Sequence, residues 1–119
     1  MDPGRGPYDP GMAFDEVLAD RIREALTGAP GVAEKRMFGG IAFLTHGNMT
    51  VGVHGDELIV RINPDDTDVA LAEPGVRVFD VTGRPMRGWI LIDGEHLDDD
   101  DLDRWLTQAK AFVATLLPK

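Results

Sequence analysis

The sequence predicts an α+β fold, a two-layer arrangement of an antiparallel sheet with helices on one face, in the order α-β-β-β-α-β-β-α. Three observations lead there. Apolar residues recur at helical spacing near both ends of the chain, in 14–26 and 102–117. Between them lie short apolar runs bounded by Gly with Asn or Asp, the residues tight hairpins need for positive φ. The expected strands also come grouped, without the strict strand–helix alternation of a parallel sheet.

The lead, 1–13, is rich in Pro and Gly, with Tyr8 its one large aromatic residue. Such a segment cannot bury enough surface to offset its ordering entropy, so it reads as a disordered lead or cloning remnant, with Met12 a candidate natural start. The domain itself is expected over 14–119. Phe14, Val17, Leu18, Ile22, Ala25 and Leu26 form the first helical stripe. Asp15 and Glu16 suit the positive end of its dipole, and Gly28 with Pro30 ends it. Strands are expected at 35–45, 49–53 and 57–62, joined by the turns HGN (46–48) and HGD (54–56). Asn63 followed by Pro64 reads as a helix cap with proline in the first helical position, opening a short helix over 65–73 that Pro74 and Gly75 stop. Strands 76–81 and 86–93 follow, joined across TGRP. The last helix carries Leu102, Trp105, Leu106, Ala109, Phe112, Val113, Leu116 and Leu117, with Asp98 to Asp101 as cap and first turn.

Composition excludes several functions. A chain of 119 residues with 43% hydrophobic content fits one core. It has no cysteine, so no disulfide framework, thiolate zinc site or cysteine nucleophile. No apolar run has the length of a membrane span and no signal peptide is evident, which makes a cytoplasmic protein the expectation. The net charge of −9 argues against broad binding to nucleic acid, where Lys and Arg must neutralise phosphates.

Catalytic signals are weak. The acidic block Asp98, Asp99, Asp100, Asp101 and Asp103 lacks the ligand alternation, central Gly and terminal Glu of a calcium loop, and its place suits capping. His46, His54 and His96 lack metal-motif spacing, so neither metal nor cofactor is expected. There is no serine, and no threonine is recognisably paired with a base. RMFGGIAF (36–43) is not a phosphate loop, since it lacks the lysine and no helix follows it.

TGRPMRGW (82–89) stands out as a basic turn in an acidic chain. Strict alternation from Met86 would put Gly88, Ile90 and Ile92 on its own side and Arg87 with Trp89 on the other, where Arg87 could stack on the ring. The plainer reading is a turn plus an Arg covering an aromatic face. The sharper one joins Lys35, Arg36, Arg84 and Arg87 into one positive surface, provided the first and last strands lie close together.

Two stretches, EKRMFGGIAFLTHGNMTVGV and FDVTGRPMRGWILID, with the closing LDRWL helix, resemble the N-terminal domain of the TfoX/Sxy family. The resemblance covers about 14–117. It implies a two-layer α/β arrangement like that of secretion chaperones, and a role in bacterial competence-type or transcriptional regulation. Longer members add a C-terminal domain of helix-hairpin-helix type; here a stand-alone N-terminal domain is expected. The matching positions Met37, Phe38, Gly39, Gly40, Gly83, Pro85, Met86 and Gly88 form a structural signature, and no catalytic residue carries over.

The expected function is a non-enzymatic regulatory domain acting through protein–protein contacts, with an unidentified protein or a second copy of the chain as partner. In a dimer the acidic helix start would meet the basic turn. The candidate contact residues are Lys35, Arg36, Arg84, Arg87 and Trp89. Two alternatives stay open: direct nucleic-acid binding through the basic patch, and a small-molecule-binding protein or enzyme.

Overall fold

In the computed structural model, which describes residues 14–37, 39–80 and 86–118, helix α1 spans Glu16–Ala25. Asp15 caps it, its carboxylate accepting from the amides of Val17 at 2.9 Å and Leu18 at 3.2 Å. The helix buries Leu18, Ala19 and Ile22, while Val17 is 49% exposed, so the apolar stripe is narrower than the sequence suggested. The expected lead, 1–13, lies outside the described residues.

Four strands follow: β1 (Val32–Met37), β2 (Gly40–Thr45), β3 (Asn48–His54) and β4 (Glu57–Arg61). The segment 35–45, expected as one strand, is thus the inner part of a hairpin. Met37 pairs with Gly40, and Gly39 takes the positive φ, +72°, that the reversal needs. Gly40 answers a second demand: a Cβ there would collide with the Val53 carbonyl oxygen of β3. The turns at His46–Gly47 and Gly55–Asp56 join the next strands as expected.

Asn63 caps the next segment, its side chain accepting from the Asp65 amide at 2.9 Å. A 3-10 turn, Pro64–Asp66, leads into a helix α2 of one to two turns, Thr67–Leu71, shorter than the expected 65–73. Strand β5 (Val76–Phe79) and strand β6 (Met86–Ile92) precede helix α3 (Asp99–Val113). Asp98 caps α3 through the Asp101 amide at 2.8 Å. Its buried side is Leu102, Trp105, Leu106, Ala109 and Val113.

The order of helical and strand-bearing segments is the expected one, helix, strands, short helix, strands, helix. The six strands form one antiparallel sheet in the order β1-β2-β3-β4-β6-β5. One face packs on the helices: Ile41, Phe43, Val51, Val53, Leu58, Val60, Ile90 and Ile92 meet Leu18 and Ile22 of α1 and Trp105 and Leu106 of α3. Burying side chains of this size contributes about 1.5–3 kcal/mol each relative to exposure. The opposite face, here called the strand face, holds a second cluster drawn wholly from strands. Ile59, Phe79 and Leu91 are buried there, with Met49, Met86 and Trp89 packed against them.

Candidate docking face

The strand face owes its shape to an irregularity in β6. Val78 of β5 pairs with Ile90, but the next residue, Phe79, pairs with Met86. Three residues, Arg87, Gly88 and Trp89, therefore bulge out of the β5 ladder. Gly88 accommodates this with a φ of +84°, and a Cβ on it would lie 3.1 Å from both the Ile62 oxygen and the Pro64 ring. Its carbonyl accepts from the Ile62 amide at 2.8 Å, extending the pairing with β4. Its amide donates to the Thr67 hydroxyl at 2.9 Å, and that hydroxyl donates to the Pro64 carbonyl at 2.7 Å. Thr67, 1% exposed, thus ties the bulge to the start of α2.

The bulge corrects the alternation expected for 86–93. Met86 and Trp89 share the strand face, whereas Arg87 turns to the helix side. There it pairs with Asp68 at 3.3 Å and donates to the Pro64 carbonyl at 3.1 Å. Trp89 leans on Phe79, with ring centres 6.3 Å apart. The cation over its ring is not Arg87 but Arg61, directly across the β4–β6 ladder, 5.0 Å from the ring centre. The same guanidinium lies 5.7 Å from the ring centre of Phe112 on α3. Burial among these groups holds the Arg61 pKa below its ordinary value.

The single positive surface expected from Lys35, Arg36, Arg84 and Arg87 is not assembled by the residues described. Strands β2, β3 and β4 separate β1 from β6, roughly 19 Å by ladder spacing. Lys35 pairs in register with Ala42 and shares the strand face, while the neighbouring Arg36 alternates to the helix side and lies 5.1 Å from the Phe14 ring centre. Arg87 is occupied by Asp68. Arg84, Gly83, Pro85 and Phe38 lie outside the described residues.

A different charge pattern emerges from the register. The charged strand residues that alternate to the Ile59 side are Lys35, Glu57, Arg61 and Arg77. Glu57 is paired with Arg77, which leaves Lys35 and Arg61 as the strand charges of that side without an ion pair, the Arg61 guanidinium sitting between Trp89 and Phe112 where the strand face meets the α3 layer. The chain as a whole carries −9, so these two cations run against the sign of the molecule. Arg61, Arg77, Met49 and Phe112 were not singled out by sequence. The alternation of Ile59 with Arg61 was a usable signal; the pairing of β4 with β6, which brings Arg61 to Trp89, was not visible locally.

Several acids elsewhere are engaged in caps and ion pairs. Asp98 caps α3, Asp99 pairs with Arg21 at 3.1 Å, and Arg104 bridges Glu73 at 2.8 Å and Asp101 at 3.4 Å. Its hydrogen bonds to the Glu73 carboxylate raise the Arg104 pKa, and the guanidinium lies 4.5 Å from the Trp105 ring centre. His46 and His54 flank opposite ends of β3, and His96 sits in a 3-10 turn, Gly94–His96. Among the described residues, no three His, Asp or Glu side chains gather as a metal site.

These features define a class: a two-layer α+β domain whose helix-bearing face forms the core and whose strand face presents Trp, Met and Arg. The family model for the TfoX N-terminal domain matches residues 24–113, and the chain belongs to that family. No curated protein and no solved structure matches the chain significantly. The signature shared with the family has a physical basis here: Gly39 and Gly40 shape the first hairpin, and Gly88 shapes the bulge that brings Met86 to the strand face beside Trp89.

Proposed function

We propose that the domain is a non-enzymatic regulatory module that binds a protein partner on its strand face, around Trp89. Family membership supports a regulatory role. The observation that carries the docking reading is the second apolar cluster, in which half-buried Met49, Met86 and Trp89 surround Ile59, Phe79 and Leu91 on the side away from the helix-packed core. Tryptophan, methionine and arginine are the residue types enriched in protein interfaces. No helix among the described residues is long and apolar enough to cross a membrane. A cysteine-free chain accords with a cytoplasmic setting.

The nucleic-acid alternative loses its main support. Arg87 is already paired and Arg36 faces away from Lys35. Two dispersed cations on the strand face are few for a phosphate backbone.

The reading is tested by affinity purification of the tagged chain from cells that express it. A partner recovered with wild type and with Val17→Asp, on exposed α1 surface, should be lost with Trp89→Asp. A partner retained by Trp89→Asp would contradict the reading. A second copy of the chain recovered under the same dependence would identify the partner as itself.

A further inference from the structure

We infer that Arg61, with the rings of Trp89 and Phe112, is a receptor for a carboxylate, and that the partner segment on the strand face is an acidic peptide with an apolar residue beside its acid. The inference rests on the docking reading above and names the chemistry of its occupant.

Seven arginines are described, and five of them hold carboxylates of the same chain: Arg21, Arg23, Arg77, Arg87 and Arg104. Arg36 lies exposed, with Glu34 close enough for its charge to favour the ionised carboxylate. Arg61 alone combines partial burial with no carboxylate: among the described residues its guanidinium makes no ion pair or hydrogen bond, only the two ring contacts. This is an unusual arrangement in a chain with 21 acidic residues.

Stacking on aromatic rings satisfies the faces of a guanidinium and leaves its in-plane N–H donors available. Those donors match a carboxylate in a two-pronged geometry. Partial burial makes the unpaired cation costly, and an incoming anion removes that cost. Lys35 gives the same face a second uncompensated positive charge, so an acidic segment is favoured there while the rest of the molecule repels it. Met49, Met86 and Trp89 supply the apolar shoulder for the neighbouring residue.

The test is selection of a random linear peptide library on the immobilised full chain, followed by affinities of the enriched peptides. Enriched sequences should carry Asp or Glu beside a large apolar residue. Their affinity should fall about tenfold or more with Arg61→Gln, and less with Arg61→Lys, which keeps the charge but not the planar fork. Replacing the peptide acid by its amide should cost the same on wild type and little on Arg61→Gln, as expected for coupled partners. Near-ultraviolet circular dichroism verifies that each variant keeps its native tryptophan environment. Should Arg61→Gln lose that signal, Arg61→Lys and the amide peptides carry the test.

Peptides that need Trp89 but bind equally well without an acid or without Arg61 would overturn the carboxylate receptor and leave the docking reading standing. Failure to enrich any peptide would count against both. A labelled single-stranded oligonucleotide that binds in an Arg61-dependent way and displaces the peptides would overturn the peptide occupant in favour of nucleic-acid phosphate.

Discussion

The Gly88 amide donates a hydrogen bond of 2.9 Å to the Thr67 hydroxyl, joining the bulge of β6 to the first residue of α2. This contact ties down the irregular start of the signature strand. Trp89 shares the strand face with Leu91 by plain alternation; the bulge brings Met86 to that face as well, whereas without it Met86 and Trp89 would sit on opposite sides. Met86 therefore joins the strand-face cluster through a bulge held by one buried hydroxyl and one glycine.

Thr67→Val keeps the shape of the side chain and removes the hydroxyl. It leaves the Gly88 amide without its partner, and a buried unpaired group costs about 1–3 kcal/mol. Urea denaturation should show a loss in that range, with Thr67→Ser recovering most of it. A neutral Thr67→Val would mean the bulge is held by something else.

Gly88→Ala forces a Cβ into the left-handed region, at a cost of about 1–2 kcal/mol before any crowding. The added atom also meets the Ile62 oxygen and the Pro64 ring at 3.1 Å. The expected outcome is a destabilised protein with altered Trp89 fluorescence, measured against Trp89→Phe to isolate that residue from Trp105. Unchanged stability and emission would argue against the positive φ.

The two tryptophans should separate stability from binding. Trp105 is 2% exposed in the helix-side core, and Trp105→Ala should cost about 3–5 kcal/mol. Trp89 is only half-buried, so Trp89→Ala should cost less in denaturation while removing partner binding. Equal losses of stability would place Trp89 in the core and weaken its part in docking.

Acid sensitivity is predicted at Glu34. Hydrogen bonds from Arg23, at 2.7 and 2.8 Å, hold its pKa below the ordinary carboxylate value. A lowered folded-state pKa means the contribution is fully present above the unfolded value, near about 4.3, and fades as pH falls towards the folded one. Thermal melts of wild type and Glu34→Gln should differ at pH 7 and converge as the pH drops through that window. The effect is modest because the Glu34 side chain is 40% exposed. A difference that widened on acidification would reverse the sign of the linkage.

Much of this fold was legible in local chemistry. The caps at Asn63 and Asp98 stand where the sequence placed them, because a capping side chain needs only neighbours two or three residues away, whereas Asp15, expected in the first turn, is itself the cap of α1. The turns after Thr45 and His54 were readable for the same reason. The RMFGG hairpin was not, because two glycines in an apolar run suit a bent strand as well as a reversal. The site was less legible still. Arg87 and Trp89 are separated by a bulge whose cause, Thr67, lies 21 residues away in sequence. Arg61 meets Trp89 through a ladder between strands that are not consecutive. Lys35 was placed on a functional face, but the strand order decided that its companion there would be Arg61 rather than Arg87.

The central claim, that the strand face docks a protein partner, is tested most directly by site-specific photo-crosslinking in living cells. A photoreactive residue in place of Met86 or Met49, both on the strand face, should trap one discrete partner on irradiation. The same residue in place of Val17, exposed on α1, should trap none. Equal trapping at position 17, or none at positions 49 and 86 in cells where the partner co-purifies, would contradict the account.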